Sequence, residues 1–390
     1  MKNFTFKTTT LLMLCYLVLS FQLIAQEVYT VTFNLNGGIG TPPRPITVNA
    51  GFGITLPEST TMSGAEHFSY FVGWNPNSQG TGRSIRPGEP FMPQGNTTLY
   101  ANYTIINDFP NKMLWLDQFA QSNQSYTVDV LEDHTLQNIK NGNTFQNFSY
   151  GNRTNITIHL RGIGNNRTIS RRDGGHAVIF WVESGVTLTL ENITIQARNT
   201  GGTVILIDAG GTLIMQQGSV IQGHTGNAAV AVNGSFIMNG GTIRGNTFSA
   251  FGVNNTNTGG GGVYVNGTFT MNDGSISGNM SQLNGGAVFV NGVFNMNGGS
   301  IMSNIAVGYG GGVFLNSNAV FNKTGGRITG FQGENNNLIV DRNGRAISSS
   351  NRGSAIWVSS SLRKETTTGI NDNMSYNGNN GQFSGAWLGY

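Results

Sequence analysis

The sequence predicts an all-β solenoid: a right-handed parallel β-helix that follows a small β-rich module. Three observations predict this fold. A phrase of about 25 residues returns along the second half of the chain, each phrase holds short strands with alternating apolar residues, and glycine pairs separate the phrases. A fixed period of this size indicates stacked units, because one unit cannot bury its own apolar face alone.

Each copy of the repeat, called a rung here, has a fixed order: a Val-x-Val strand, Asn-Gly, a Phe-x-Met strand, a glycine turn, an Ile, an Asn and a glycine pair. One copy spans Gly262 to Asn279 and the next spans Ala287 to Asn304. The apolar pairs that open successive rungs lie 26, 26, 33, 25, 25 and 43 residues apart, and the interval of 33 holds a polar insert around 254–258. These pairs are Val178/Phe180, Val204/Leu206, Val230/Val232, Val263/Val265, Val288/Val290, Val313/Leu315 and Ile356/Val358.

The three strands of each rung predict three parallel sheets. The Val-x-Val strand, the Phe-x-Met strand and a strand centred on the Ile each turn alternate side chains inward. Rungs stacked about 4.8 Å apart bury these faces in one dry core, and the glycines supply the turns with positive φ. Asn246, Asn279 and Asn304 recur at one position. We expect their side chains to hydrogen-bond along the stack and to satisfy backbone groups in the turn.

Residues 1–26 have the pattern of a secretory signal peptide. Lys2 and Lys7 supply its positive start, and Leu11 to Leu19 is an apolar stretch too short to span a bilayer. The only cysteine, Cys15, lies inside this segment, so the exported chain is expected to have no disulfide. We therefore expect an extracellular or cell-surface protein with no transmembrane segment after signal removal.

The composition argues against a polyanionic partner. The chain has 57 glycines in 390 residues, 21 basic side chains and 18 acidic ones. The formal net charge is 21 − 18 = +3, and loss of Lys2 and Lys7 with the signal peptide leaves 3 − 2 = +1. Because no run of Lys or Arg is present, we expect no nucleic-acid partner.

Residues 27–104 form the predicted β-rich module. Its landmarks are VTFNLNGG at 31–38, GTPP at 40–43, ITLP at 54–57, FVGWN at 71–75 and TLYANYT at 98–104. This order resembles the Listeria–Bacteroides repeat, also called the internalin B repeat, with Tyr103 where that family usually has Trp. The resemblance implies a β-grasp-like fold and a spacer or adhesive module of secreted and cell-surface bacterial proteins, not an enzyme.

Three further segments complete the predicted organisation. Residues 105–176 are expected to hold a linker, a capping helix around Met113–Phe119 and the first coils, because apolar residues there follow a helical spacing. The β-helix repeats are expected over 177–360, and a C-terminal cap or tail over 361–390.

Two stretches of the repeat region resemble known β-helix proteins. Thr187–Ile195 is similar to the opening coils of the pectate-lyase-like superfamily. Ile276-x-x-Asn279, followed by Gly285-Gly286-Ala287-Val288, resembles the paired tetrapeptides of chlamydial polymorphic outer-membrane proteins, with Ile for Phe and Val for Ile. The second resemblance implies an adhesin-like role.

Polysaccharide lyases and glycoside hydrolases share this fold, and their chemistry needs clustered carboxylates. Glu183 and Asp208 lie 25 residues apart, so they are expected on adjacent rungs, either as a catalytic pair or, as we favour, as two solvated turn residues. His176 and His224 each follow a glycine and are interpreted as ordinary turn histidines. We predict no catalytic, cofactor-binding or metal-binding residue, because the repeat region offers few carboxylates. The acids between residues 177 and 330 are only Glu183, Glu191, Asp208 and Asp273.

Aromatic residues recur between the two valines of the Val-x-Val strand. If the valines face inward, these rings face outward and form a candidate ligand-binding stripe. The alternative is that a loop shields the rings or that they face the core, and we weight this alternative more heavily because exposed aromatic stripes are uncommon. The stripe comprises Tyr264, Phe289, Phe314 and Trp357.

The sequence thus predicts a secreted or cell-surface, structural and adhesin-like protein that binds extracellular glycans or the surface proteins of a host or community. The alternative is a carbohydrate-active β-helix enzyme, either a polysaccharide lyase or a glycoside hydrolase. A carboxylate cluster on the surface of the rungs would favour the enzyme.

Overall fold

Strands dominate the computed structural model of the chain, which divides between Ile106 and Asn107 into two compact units. The predicted signal peptide through residue 25, His176 and the polar insert at 254–257 lie outside the described residues. The structure describes residues 26–59, 61–136, 146–171, 178–197, 201–249, 258–331, 334–347, 352–358, 362–364 and 366–387.

The first unit is built on a mixed four-stranded sheet. Val28–Asn34 pairs in parallel with Thr97–Ile105 at its centre and antiparallel with Ile46–Asn49 at one side. Ser69–Asn75 pairs antiparallel with the other side of Thr97–Ile105. Two short antiparallel pairs complete the strands described in this unit: Ile39–Gly40 with Met62–Ser63, and Ile54–Thr55 with Pro90–Phe91.

Trp74 is the centre of the core of the first unit. Its side chain is fully buried, and its ring centroid lies 4.7 Å from that of Phe33 and 4.8 Å from that of Phe71. The indole N–H donates to the carbonyl oxygen of Pro57 at 3.2 Å, so the one polar atom of the ring is satisfied.

Tyr103 joins the edge of this core to the Asn-Gly-Gly turn. Its hydroxyl donates to the carbonyl oxygen of Leu35 at 2.8 Å, and burial raises its pKa to about 12. A Cβ at Gly38 would lie 2.2 Å from this hydroxyl oxygen, so the turn requires glycine at that position.

The second unit begins with the helix Phe109–Phe119. Asp108 caps it by accepting from the amide of Asn111 at 3.0 Å. The helix packs against the first strand that follows it, with the Trp115 ring 5.8 Å from the Tyr126 ring. The helix lies in the segment where the sequence pattern predicts a capping helix.

Equivalent strands of successive rungs pair in parallel and form columns. The Phe column comprises Ser125–Val130, Ile156–Gly162, Val186–Glu191, Thr212–Met215, the first parts of Ser235–Arg244 and Thr268–Ser277, Val293–Met296 and Val320–Lys323. The Ile column comprises His134–Leu136, Arg167–Arg171, Ile193–Gln196, Val220–Gln222, the last parts of the same two long strands, Ser300–Met302 and Arg327–Ile328.

Two further columns follow: the Val column runs through all the described rungs, and the short column begins at Thr225. The short column comprises Thr225–Gly226, Thr247–Phe248, Met280–Ser281, Ile305–Ala306 and Leu338–Ile339. The Val column comprises Gln146–Phe148, Phe180–Val182, Ile205–Ile207, Val230–Val232, Val263–Val265, Val288–Val290, Val313–Leu315 and Ile356–Val358.

The sheets are not divided as predicted. The Phe and Ile columns belong to one 16-stranded sheet, because the strands Ser235–Arg244 and Thr268–Ser277 continue from one column into the other through an irregularity in their register at Asn239. The Val column forms a separate nine-stranded sheet, and the third parallel sheet is the five-stranded short column, which the sequence analysis missed.

The register of the second and third Val-column strands also differs from the prediction. Phe180 pairs with Ile205, and Ile205 pairs with Val230, so the inward pairs are Phe180/Val182 and Ile205/Ile207. The predicted pairs Val178/Phe180 and Val204/Leu206 are wrong by two residues and by one residue. Leu206 lies on the outer face and is partly exposed, whereas Ile205 and Ile207 are fully buried.

Inward-facing side chains stack on their equivalents from rung to rung. The rings of Phe236 and Phe269 lie 4.7 Å apart and 8° from parallel, and those of Phe269 and Phe294 lie 4.9 Å apart and 3° from parallel. All three side chains are fully buried. The parallel pairing register makes this stacking possible, since it places each ring directly over the same residue type even where the rungs differ in length.

A chain of buried asparagine amides runs through the turn after the Ile column. Nδ2 of Asn246 donates to Oδ1 of Asn279 at 2.9 Å, and Asn279 donates in the same way to Asn304 at 3.0 Å. Each Nδ2 also donates to the carbonyl oxygen of the preceding rung's Ile, and each backbone amide donates to the next Oδ1. Asn337, absent from the predicted set, accepts from Asn304 at 2.9 Å.

The parallel stacking changes direction at the last rung. Met374–Asn377 pairs antiparallel with Val320–Lys323, and Gln382–Gly385 pairs antiparallel with Met374–Asn377. On the Val column, Arg363–Lys364 pairs antiparallel with Ile356–Val358. These antiparallel strands cover edges that would otherwise expose backbone groups.

We expect Asn279→Ala to lower the free energy of unfolding by about 3 kcal/mol or more, because several buried backbone and amide groups lose partners at about 1–3 kcal/mol each. Asn272→Ala is the matched control: it removes the same side chain from the same rung, where it is exposed and bonded to Asn239 and Asn297 at 2.9 Å. Water replaces those bonds, so we expect a loss below about 1 kcal/mol. Urea denaturation followed by circular dichroism measures both, and equal losses would contradict this account of the buried chain.

Candidate functional site

The middle residues of the Val-column strands form a single outward-facing line, called the outer file here. The flanking residues of each strand are fully buried at nearly every position, so the middle residue turns to the other face of the sheet. From the first rung to the last, the outer file comprises Asn147, Trp181, Leu206, Ala231, Tyr264, Phe289, Phe314 and Trp357.

The predicted aromatic stripe lies on this file, but its two middle members are buried. Phe289 is 0% exposed and Phe314 is 4% exposed, whereas Tyr264 and Trp357 are partly exposed. The Phe289 ring stacks on Tyr264 at 5.5 Å and on Phe314 at 4.8 Å, so neighbouring rings cover both of its faces. The four rings therefore do not form an open platform: Phe289 and Phe314 are shielded, as in the alternative given more weight above, because neighbouring rings stack on each other's faces.

The far end of the stripe is closed by a further aromatic ring. Tyr309 stacks on Trp357 with ring centroids 4.6 Å apart, and the Arg352 guanidinium lies 5.6 Å from the centre of the Tyr309 ring. Tyr309 itself is 40% exposed. The sequence analysis missed Tyr309 because it lies in a glycine turn and not in the repeating strand.

A cavity of about 360 Å³ opens at the near end of the stripe. Ala231 interrupts the outer file there, and the next ring of the file, Tyr264, forms part of the wall. The described residues that line it are Thr203, Asn227, Ala228, Ala231, Phe248, Thr258, Gly259 and Tyr264.

A second concave surface, an open groove of about 580 Å³, follows the outer side of the Ile column. Its floor carries a line of polar side chains in which Gln222 donates to Gln196 at 2.8 Å and Arg244 donates to Gln222 at 2.9 Å. These groups bond to one another, and the line gives way to Ser277 and Met302 on later rungs.

The two carboxylates predicted on adjacent rungs follow paired strands, at equivalent positions. Each accepts a hydrogen bond from a neutral side chain of the outer file. Asp208 accepts from the indole N–H of Trp181 at 2.8 Å, and Glu183 accepts from the amide of Asn147 at 2.7 Å. Both carboxylates therefore hold outer-file side chains in place, and both are partly exposed.

The other two acids of the repeat region also have local partners. Oε2 of Glu191 lies 2.8 Å from Nε2 of His159 on the preceding rung, and Asp273 accepts from the amide of Gly274 at 2.7 Å. Among the described residues, no three Asp, Glu, His or Cys side chains lie together as a metal site would require. No described helix combines the length and the apolar composition of a membrane-crossing segment.

His224 occupies, in an earlier rung, the place that the buried asparagines take later. Its backbone amide donates to Oδ1 of Asn246 at 3.1 Å, and its ring Nε2 lies 2.9 Å from the carbonyl oxygen of Gly202. The side chain is 1% exposed, and burial lowers its pKa. His224 is thus a neutral structural donor that begins the amide chain.

We expect the protein to lose stability as the pH falls below about 6.5, the ordinary pKa of histidine, because unfolded His224 takes up a proton that the buried ring resists. In His224→Asn, the introduced side-chain amide extends the line of buried asparagine amides that begins at Asn246. We therefore expect the free energy of unfolding to fall less between about pH 7.5 and pH 5 in this variant than in the unaltered protein. Burial also lowers the pKa of His134, so part of the pH dependence of the unfolding free energy should remain in the variant. Urea unfolding at both pH values measures this, and identical pH dependence of the two proteins would contradict the assignment.

Comparison with known proteins identifies the first unit alone. Residues 29–102 match the family model described as the Listeria-Bacteroides repeat domain, which confirms that resemblance for the module. No curated protein and no solved structure matches the chain.

Proposed function

We propose that this protein is a secreted or cell-surface scaffold with an adhesin-like role. Its rungs close into a right-handed parallel β-helix, which presents one flank to extracellular glycans or to the surface proteins of a host or community. The N-terminal segment directs export, and the protein has no catalytic activity of its own.

The closed helix is supported by the order in which each rung visits the columns. From Thr225 onward the chain passes from the Phe column to the Ile, short and Val columns and then to the Phe column of the next rung, and in the earlier described rungs the Val strand follows the Ile strand. Each strand pairs in parallel with the equivalent strand of the next rung. The inward side chains of the columns are fully buried, which supports sheets that face a shared interior. Parallel crossovers are right-handed in about 98% of cases, which supports the proposed hand.

The observation that carries the functional proposal is the structural use of the available carboxylates. Glu183 and Asp208 both accept hydrogen bonds from the outer file, and they do so from a neutral amide and an indole. Hydrolases and lyases of sugar polymers need carboxylates that face the substrate with a proton to give or accept. A repetitive, weakly charged flank with two concave surfaces is better suited to binding than to such chemistry.

The first unit supports the same proposal. Residues 29–102 match a repeat family that, in our interpretation, serves as a spacer or adhesive module in secreted and surface proteins. Its hydrophobic core consists of residues of the first unit and is built around Trp74, Phe33 and Phe71.

We expect full-length protein expressed in a Gram-negative host to be exported and to begin, in its mature form, near residue 26. Mass spectrometry of the extracellular fraction measures the new N-terminus. Accumulation of the uncleaved chain inside the cell would contradict the export part of the proposal.

We expect the purified exported protein to bind a glycan array or intact cells and to leave neutral and acidic polysaccharides uncleaved. Assays for new reducing ends and unsaturated products measure turnover. Turnover that is abolished by Asp208→Asn or Glu183→Gln, with an unchanged melting temperature, would replace the proposed scaffold with an enzyme. Absence of binding to both glycans and cells would contradict the adhesin-like role.

A further inference from the structure

Tyr264 is an aromatic residue of the outer file that meets a small residue, and not a ring, at the paired position of the preceding rung. Phe289 is covered on both faces, and Trp357 stacks on Tyr309. Tyr264 stacks on Phe289 through one face only, and its other face is turned toward the preceding rung. The residue that pairs with it in that rung is Ala231, whose methyl group leaves the place of a ring empty.

The empty place is a cavity of the size that small ligands use. Its volume of about 360 Å³ lies within the range of about 300–1,000 Å³ found for ligand pockets. Thr203, Ala231 and Tyr264 belong to three successive rungs and all line it, so the cavity extends along the stack and not only across one strand.

The wall of the cavity is apolar and its rim is polar without charge. Phe248, which is 3% exposed, supplies a second aromatic side chain beside Tyr264. The polar side chains of the lining are Thr203, Asn227 and Thr258, and none of the described lining residues is charged. Such a site fits a neutral ring with an apolar face and hydroxyl groups at its edge, because hydroxyls and amides exchange hydrogen bonds without a charge to neutralise.

The Tyr264 ring is fixed before any ligand arrives. Its hydroxyl accepts from Nδ2 of Asn291 at 2.6 Å, and the Phe289 ring supports its other face at 5.5 Å. A ring held in this way loses little conformational freedom when a ligand stacks on it, so more of the contact energy appears as affinity.

We propose that this cavity binds one neutral sugar ring of a glycan, stacked on the free face of Tyr264 in the place that an aromatic side chain fills in later rungs. The inference rests on the proposed glycan-binding function and gives that function a site and a ligand class. The apolar face of the sugar covers Tyr264, and its hydroxyl groups bond the rim residues Asn227 and Thr258. The rest of the glycan continues outward into solvent.

The test uses the exported full chain and short neutral oligosaccharides of glucose, galactose or mannose, observed by saturation-transfer NMR. Ala231→Phe supplies the missing ring from the protein itself, so we expect binding to fall by about tenfold or more. Because the new ring stacks on Tyr264, the melting temperature should stay the same or rise. Ala231→Ser, the matched control, keeps the cavity open and should bind as the unaltered protein does.

Three more variants separate this site from other aromatic surfaces. Tyr264→Ala removes the stacking face and should lose binding, whereas Tyr264→Phe keeps the ring and should retain it. Tyr309→Ala removes the exposed ring at the far end of the stripe and should leave binding unchanged. If Ala231→Phe melts early, the Tyr264→Ala and Tyr264→Phe pair still decides the question.

Different outcomes overturn different claims. Oligosaccharide binding that survives both Ala231→Phe and Tyr264→Ala would remove the site but keep the proposed function. Binding only of carboxylated oligosaccharides would remove the neutral ligand class. Failure of every neutral oligosaccharide to bind would overturn the inference, and adhesion to cells by the same sample would show that the proposed function stands without it.

Discussion

The buried amides of Asn246, Asn279, Asn304 and Asn337 satisfy a turn that no apolar side chain could hold. An amide both donates and accepts, so a line of them bonds from rung to rung while each oxygen also takes a backbone N–H and each nitrogen reaches a backbone carbonyl. An unpaired backbone group at this depth costs about 1–3 kcal/mol. The turn must therefore recur at one height in each of these rungs, and the stacking of Ile, Phe and Val side chains follows from that common register.

Three buried lysines and the partly exposed Arg153 lie near the two ends of the stack. In the last rung, Lys323 takes the place of the stacked methionines, and its ammonium donates to the carbonyl oxygens of Gly369 and Asp372 at 2.9 Å. Lys364 donates to Ala386, and near the first strand Lys112 donates to Asp129 and Arg153 to Ala120. These side chains bond carbonyl oxygens of the C-terminal segment, of the first strand and of the end of the helix, so they join the terminal segments to the stack.

The periodic part of each rung could be predicted from the residues, and the irregular part could not. Alternation identified the inward Val263 and Val265 and the buried asparagines, because equal spacing repeats an equal environment. Alternation did not predict the register where neighbouring residues are equally apolar. Val204 and Ile205 cannot be told apart by polarity, so the predicted register of this strand was wrong by one residue. Asn337 was missed because nine residues separate it from Ile328, where the other rungs have three.

The candidate site, like the fold, could be predicted from the sequence only in part. Alternation identifies which face of a strand a ring occupies, but the burial of Phe289 depends on neighbouring rings that alternation does not report. The two-residue strands of the short column carry too little pattern to be recognised. The cavity at Ala231 depends on a missing ring, and a small residue in a file of large ones is visible only once the register is known.

The corner between the short and Val columns tolerates extra chain. Val230 and Val263 pair in register although 33 residues separate them, 33 − 25 = 8 more than between Val263 and Val288. Lengthening a surface loop costs little, because the closure entropy grows only slowly with loop length. This corner is thus where sequence can drift or be grafted without disturbing the interior. Since Thr258 and Gly259 border the cavity there, a change of chain length at this corner would alter the border of the cavity and leave the stacked core in place.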